Sequence, residues 1–138
     1  MVQIDIRYEG GLHCDARHDP SGTTLATDAP VDNQGKGQSF SPTDLVATAL
    51  GTCMLTVMGI VARNSGWDLE GIDVTVTKTM TAEAPRRIER LSVAFTVPEE
   101  VSAALPLEAL AKLEHTAHTC PVRLSIHPDI EVPVSFGW

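Results

Sequence analysis

The feature that most constrains this chain is a run of eighteen residues without a charge, from Leu45 to Ala62. A run of that length is a candidate for a helix that spans a membrane. It contains threonines, glycines and Cys53, however, and no aromatic or cationic belt lies close to both of its ends. A helix that is apolar on most sides can equally be the buried centre of a globular protein. Because only one such run exists, we expect a buried helix and no membrane partner.

The residues on either side of the run predict where this helix begins and ends. Ser41 can cap the first free amides, Pro42 suits the first helical position, and Asp44 follows the cap by three residues as an acidic variant of the capping box. Ser65-Gly66 supplies a stop. We expect a helix from Pro42 to about Asn64, which would be roughly 35 Å long and form a central spine.

Period-2 alternation of apolar and polar residues predicts strands before the helix. We expect a first strand over Val2 to Glu9, a tight turn at Gly10-Gly11, and further strands over Leu12 to Arg17 and Thr23 to Thr27. The segment from Asp28 to Ser41 is rich in glycine, proline and aspartate, which predicts a long loop.

A second group of strands and one more helix follow the long helix. Alternation predicts strands over Ile72 to Met80 and Leu91 to Val97, joined as an antiparallel hairpin, and a last strand over Ile130 to Phe136. Leucines at helical spacing predict a helix after Pro106, and Pro133 favours a sheet edge for the last strand. This order predicts an α+β fold with antiparallel sheets and a long central helix, in a single domain over residues 1–138.

Composition excludes some classes of protein and favours one compartment. Ten Lys and Arg against eighteen Asp and Glu give a net charge of −8 without a basic stripe, so we expect no nucleic-acid partner. Three cysteines are too few, and uneven, for a disulfide scaffold. The first residues show no basic and apolar signal segment, so we expect a cytoplasmic protein whose cysteines are reduced.

Two of the three cysteines are candidates for reactive thiols. Cys53 lies inside the long helix, where a lone cysteine is most often a small buried hydrophobe. Cys120 precedes Pro121 at the start of a short helical turn, where backbone N–H groups and Arg123 would lower the pKa of a thiol. An unreactive loop cysteine is the alternative. Cys14 lies on a strand face with apolar neighbours, so we expect it to be buried.

Two histidines near Cys120 raise the alternative of a metal site. His115 and His118 lie three residues apart on one helix face, and Cys120 follows. This set provides only three ligands, and its spacing matches no strong zinc signature. We therefore expect no metal, and a zinc protein remains a minor alternative.

Two segments resemble the OsmC/Ohr family of osmotically inducible and organic hydroperoxide resistance proteins. They are Ser41-Pro42-Thr43-Asp44-Leu45 through Ala49-Leu50-Gly51-Thr52-Cys53, and Thr119-Cys120-Pro121-Val122. The resemblance implies an OsmC-like fold that forms an intertwined α+β homodimer, with two active sites at the subunit interface. It also implies that a second subunit covers the apolar helix.

The resemblance further implies a cysteine-based peroxidase that acts on organic hydroperoxides or hydrogen peroxide. By analogy, Cys53 attacks the peroxide and becomes a sulfenic acid. Cys120 then resolves it as a disulfide, which an external dithiol reduces. In the family, that dithiol can be a lipoyl group on a carrier protein, and no metal, haem or flavin is needed.

The family's peroxidases also use an arginine and a glutamate to prepare the reactive cysteine, and this chain departs from that pattern. Thr43 follows Pro42 where the family has the glutamate, so Asp44 is the nearest acidic candidate. Arg17, close to a strand end, is the candidate for the arginine, although it can equally be a solvated strand residue. These departures leave open the alternative of a non-catalytic OsmC-like protein that binds a small ligand.

Overall fold

The structure, a computed structural model, describes all residues from Met1 to Trp138. Its strands are β1 (Ile4–Gly10), β2 (His13–His18), β3 (Thr24–Asp28), β4 (Asp73–Met80), β5 (Ile88–Thr96) and β6 (Val134–Gly137). Its α-helices are α1 (Pro42–Ser65), α2 (Glu99–Ala104), α3 (Leu107–His118) and α4 (Pro121–Ser125). The chain divides into two compact units, Met1–Val46 and Ala47–Trp138. The predicted α+β class is confirmed.

The first unit contains an antiparallel sheet in the order β1-β2-β3. Gly10 and Gly11 both have positive φ angles, which makes the predicted turn between β1 and β2 possible. Ile6, Ala16 and Leu25 lie opposite one another across the three strands, on one face of the sheet. That face also carries Ile4 and Tyr8, and within the unit its larger side chains are exposed.

An ion pair between the partly exposed His13 and the buried Asp28 holds the loop that follows β3. The Asp28 carboxylate is 3% exposed, lies 2.6 Å from the Nδ1 atom of His13, and accepts the backbone N–H of Gln38 at 2.9 Å. The bond to Asp28 raises the pKa of His13, and the bonds from His13 and Gln38 lower the pKa of Asp28. Both groups are therefore charged in the interval between their two pKa values, where the pair holds the loop against β2 and β3.

The N-terminus of α1 has the predicted reciprocal cap. The backbone N–H of Ser41 donates to the Asp44 carboxylate at 2.8 Å, and the backbone N–H of Asp44 donates to Ser41 Oγ at 3.2 Å. The cap thereby satisfies the Ser41 N–H, and the Asp44 N–H is shared between Ser41 Oγ and the Ser41 carbonyl. The predicted beginning of the long helix is confirmed, and its end lies one residue beyond the predicted Asn64.

The second unit packs its helices on a sheet in the order β4-β5-β6. On β5, alternate residues Leu91, Val93 and Phe95 are buried. The helices supply fully buried side chains of their own: Leu50, Met54 and Met58 from α1, and Ala109, Leu113 and Ala117 from α3. These residues form the core of the unit.

The last strand differs from the sequence prediction in length and direction. It begins at Val134, not Ile130, and lies at the predicted sheet edge. It runs parallel to β5, so the second sheet is mixed and only the first is wholly antiparallel. Phe136 stacks on Phe95 with ring centroids 4.9 Å apart, and Trp138 stacks on Phe136 while donating to the Glu114 carboxylate at 2.8 Å.

Gly51 of α1 lies close against the second sheet. A Cβ atom on Gly51 would lie 2.8 Å from Val76 Cγ2 and 3.5 Å from Val74 Cγ1, both on β4. A contact under 3 Å forces a movement, and the β-branched valine has little rotamer freedom to give way. Glycine at this position therefore allows the helix to lie directly on the strand.

We expect Gly51→Ala to lower the free energy of unfolding by about 1–3 kcal/mol, because the added methyl overpacks the contact with Val76. Gly59→Ala is the matched control on the same helix. Nothing lies within 4 Å of its added Cβ, so it should leave stability unchanged or raise it by about 0.5–1 kcal/mol. Urea unfolding of the three proteins measures both effects. Equal effects at the two positions would contradict the role assigned to the contact.

Candidate functional site

The second unit brings two cysteines from distant parts of the sequence into contact. Cys53 lies in the middle of α1, and Cys120 follows the C-terminus of α3. Their side chains are hydrogen-bond partners, and neither is engaged in a disulfide. Two cysteines whose side chains interact in this way are candidates for a disulfide.

Cys120 lies at the junction between α3 and α4. The residue before a proline avoids the helical region, and Cys120 accordingly has extended angles, φ −63° and ψ 147°. It is the N-cap of α4, and its Sγ atom accepts the backbone N–H of Arg123 at 3.3 Å. Its own backbone N–H donates to the carbonyl of Ala117 at 3.3 Å, which joins it to the end of α3.

The two thiols differ strongly in access to solvent. Cys53 is partly exposed, whereas Cys120 is 1% exposed. Burial raises the pKa of the Cys120 thiol above its ordinary value, and the neighbouring Cys53 thiol raises it further. The backbone N–H groups of Arg123 and Val122 act in the opposite direction and are outweighed.

The sequence prediction for Cys120 was therefore right about position and wrong about the net pKa shift. The cysteine does cap a short helix, and the N–H groups do favour its thiolate. Arg123 acts through its backbone N–H, and the predicted contribution of its cationic side chain is not among the causes of the shift. The cost of burying a charged thiolate outweighs the N–H groups because the motif lies in the core of the unit. The local sequence does not reveal that burial.

Arg17 and Asp44, the other two candidates for catalysis, belong to the first unit. Arg17 is exposed near the end of β2, as predicted, and pairs with Asp19 at 3.3 Å. The Asp44 carboxylate accepts the Ser41 backbone N–H in the helix cap. Their participation in chemistry at Cys53 stays a prediction.

The remaining candidates do not join the cysteine pair. Cys14 is half-buried on β2, between Tyr8 of β1 and Thr27 of β3. No three His, Cys, Asp or Glu side chains of the chain are grouped to hold a metal ion. The zinc alternative built on His115, His118 and Cys120 therefore lacks geometric support.

A family model described as OsmC-like protein matches residues 35–135, a span that includes both cysteines of the pair. This chain belongs to the OsmC-like family. One of its solved relatives is a protein from Psychrobacter arcticus 273-4 whose name refers to osmotic stress induction and a detoxification response. The two are 45% identical over 99% of this chain and 96% of that chain, with a TM-score of 0.90. Among curated proteins, no match is found.

More distant structures share the OsmC-like fold. An organic hydroperoxide resistance protein OsmC from Legionella pneumophila is 18% identical, with a TM-score of 0.76 over 100% of this chain and 97% of that chain. A Vibrio cholerae protein named for organic hydroperoxide resistance, with captopril bound in one of its active sites, is 22% identical. Its TM-score is 0.74 over 98% of this chain and 91% of that chain. At these identities, the likeness establishes the fold alone.

Membership of this family bears on the long apolar helix. The helix α1 is long and apolar enough to cross a membrane by length and composition, with 33% of its most apolar window buried. A single helix of this kind is weak evidence for a membrane span, because the core helix of a soluble protein passes the same test. OsmC-like proteins are soluble, which favours the interpretation of α1 as a helix of a soluble fold.

Sequence reasoning paired the two cysteines only through the family resemblance, and it missed Gly51. Periodicity places Cys53 on a helix and Cys120 at a cap, but it contains no information on their separation. Gly51 had a signal, since a glycine in a helix interior costs about 1 kcal/mol relative to alanine and suggests a close contact. The sequence alone could not show that Val76 makes that contact.

We expect Cys53→Ala to lower the pKa of the Cys120 thiol, because the Cys53 side chain raises it by its hydrogen bond and its charge. Cys120 would then react as a thiolate at a lower pH than in the wild type. The pH dependence of Cys120 alkylation, read on its peptide by mass spectrometry in a Cys14→Ser background, measures the shift. Thr52→Ala, the adjacent exposed residue, is the control, and an unchanged or higher pKa in Cys53→Ala would contradict the coupling.

Proposed function

We propose that this OsmC-family chain is a thiol-dependent peroxidase that reduces organic hydroperoxides or hydrogen peroxide through Cys53 and Cys120. The observation that carries the proposal is the direct contact between these two thiols, one partly exposed and one buried. A peroxidase that works by a disulfide needs one thiol that a peroxide can reach and a second within bonding reach of the first. Its biological role would be defence against oxidative stress.

The oxidative half-reaction begins at Cys53, because it is the exposed member of the pair. The Cys53 thiolate attacks the distal peroxide oxygen, and the O–O bond breaks. Cys53 becomes a sulfenic acid, and the alkoxide takes a proton and leaves as an alcohol, or as water when the substrate is hydrogen peroxide. The Cys120 thiolate then attacks the Cys53 sulfur, which forms the disulfide and releases hydroxide, to be protonated to water.

The reductive half-reaction requires an external dithiol. Its two thiols give two electrons and two protons to the Cys53–Cys120 bridge and leave as a disulfide. A lipoylated carrier protein is one dithiol of this class, and it enters the proposal through the family resemblance alone. No metal, haem or flavin has a role in this cycle. The thiols must start reduced, which fits a cytoplasmic location.

The proposal includes a homodimer, which an exposed apolar surface supports. The face of the β1-β2-β3 sheet that carries Ile6 also carries Ile4, Tyr8 and Leu25, and each of these side chains is at least 47% exposed. An exposed apolar patch of this kind marks an interaction site in a soluble protein. A second copy of the chain is the proposed occupant of this face.

The proposal keeps Arg17 and Asp44 as candidates for preparing Cys53. An arginine beside a thiol stabilises the thiolate, and a carboxylate can hold that arginine in place. Each side chain has a partner of its own, however, Asp19 for Arg17 and the Ser41 amide for Asp44. Because both side chains already have partners, they favour the second candidate function, a non-catalytic protein that binds a small ligand near the two thiols.

We expect the wild type and Cys14→Ser to consume an organic hydroperoxide such as cumene hydroperoxide catalytically when dihydrolipoamide is supplied. Cys53→Ser should lose the activity, because no sulfenic acid can form at the exposed position. Cys120→Ser should still react once but turn over at least about tenfold more slowly, since its sulfenic acid has no internal resolving thiol. Peroxide loss measures turnover, and mass spectrometry of the Cys53 peptide identifies the sulfenic acid.

The same measurement decides between the two candidate functions. If the wild type and Cys53→Ser were equally slow with both an organic hydroperoxide and hydrogen peroxide, the peroxidase would be excluded. A small ligand that copurifies with such an inactive protein would then support the binding function. Loss of activity in Cys14→Ser as well would show that the working pair has been misassigned.

We expect sedimentation equilibrium to give about twice the 14.8 kDa mass of one chain. Ile6→Arg should shift the mass toward that of a monomer, because it places a charge on the apolar face of the first sheet. Thr77→Arg is the control, since Thr77 is exposed on the polar face of β4. A monomeric wild type, or a dimer that Ile6→Arg leaves intact, would contradict the assigned surface.

A further inference from the structure

The two sulfur atoms of the cysteine pair are not equivalent targets for a reductant. Thiol–disulfide exchange depends on which sulfur the attacking thiolate can reach and on how readily the other sulfur leaves. Cys53 is partly exposed on α1, whereas Cys120 is 1% exposed at the junction of α3 and α4. Within one chain, the Cys53 sulfur is therefore the more accessible target for an attacking thiolate.

Backbone N–H groups favour a negative charge on the Cys120 sulfur and offset part of the effect of burial, which raises the pKa of that thiol. Its Sγ atom already accepts the Arg123 N–H at 3.3 Å, and the Val122 N–H also favours its thiolate. Cys53 lies in the interior of α1, where backbone N–H groups are used by the helix itself. Backbone N–H groups can therefore donate hydrogen bonds to a thiolate at Cys120. The N–H groups of α1 near Cys53 are already used within the helix.

We infer that the reductant attacks the Cys53 sulfur of the Cys53–Cys120 disulfide and that Cys120 leaves as the thiolate. The inference rests on the disulfide that the proposed function requires, and it goes further by assigning the intermediate. That intermediate is a mixed disulfide between Cys53 and the reductant. Cys53 is then neutral, so its charge no longer opposes the ionisation of Cys120.

The electrons and bonds balance in two exchanges. One thiolate of the dithiol forms a bond to Cys53 Sγ, the Cys53–Cys120 bond breaks, and Cys120 takes the electron pair and then a proton. The second thiolate of the dithiol attacks its own sulfur in the mixed disulfide and releases the Cys53 thiolate, which takes the other proton. The protein gains two electrons and two protons, and the dithiol leaves as a disulfide.

The test identifies the sulfur that a monothiol attacks. The Cys14→Ser chain is oxidised with diamide, which accepts two electrons and two protons from the thiol pair, so no peroxide chemistry is needed. Excess glutathione is added, and samples are quenched at early times with acid and N-ethylmaleimide. Peptide mass spectrometry should find glutathione on Cys53 and maleimide on Cys120, with roughly tenfold or more of this species over the reverse. Equal labelling, or glutathione mainly on Cys120, would overturn the inference.

A pair of variants at Arg123 tests the leaving group. Arg123→Pro removes the N–H that donates to Cys120 Sγ, and Arg123→Ala keeps it while removing the same side chain. Because a hydrogen bond to a charged group is lost, glutathione should attack oxidised Arg123→Pro roughly tenfold more slowly than oxidised Arg123→Ala. Equal rates would contradict the assigned role of the Arg123 N–H in the departure of Cys120. If the proline disturbs α4, the labelling of the Cys14→Ser chain still decides which sulfur is attacked.

The outcomes separate this inference from the proposed peroxidase. If the chain forms the disulfide with diamide and takes glutathione at Cys53 but consumes no peroxide, the inference stands and the peroxidase is excluded. If the chain consumes peroxide but takes glutathione at Cys120, the peroxidase stands and the inference is excluded. Failure of diamide to produce the Cys53–Cys120 bridge would overturn the pairing on which both depend.

Discussion

The burial of one face of α1 is the constraint on which the second unit depends. Leu50, Met54 and Met58 are fully buried, and Gly51 allows the helix to lie directly on β4. Cys53 lies at the edge of this face, between the exposed Thr52 and the buried Met54. The same packing therefore positions the helix and leaves the Cys53 thiol partly exposed beside the buried Cys120 thiol.

Local interactions made much of the fold predictable from sequence. The cap of α1 follows from Ser41 and Asp44 because both partners lie within one turn of each other. The alternation in β1, β4 and β5 predicts these three strands, with ends that differ by up to three residues, because the period of side chains along a strand is fixed. The short helix α2 was missed although Glu99 and Glu100 in its first turn are a recognisable helix-start signal.

Long-range packing explains what the sequence could not reveal. The local motif around Cys120 predicted a lowered pKa, whereas burial and the interaction with Cys53, which is distant in the chain, raise it. The parallel direction of β6 depends on its pairing with β5 at Val93 and Phe95, which alternation does not encode. The candidate site could thus be predicted in its residues, through the family resemblance, but not in its electrostatics.

The contact between Gly51 and Val76 also limits how sequences with this fold can vary. A side chain at position 51 and the γ-methyl group at position 76 compete for one space, since a Cβ on Gly51 would lie 2.8 Å from Val76 Cγ2. A relative with alanine or serine on the helix at this point needs a smaller residue on the strand, or a strand set farther away. The two positions are therefore under a joint steric constraint, and neither can be exchanged freely without the other.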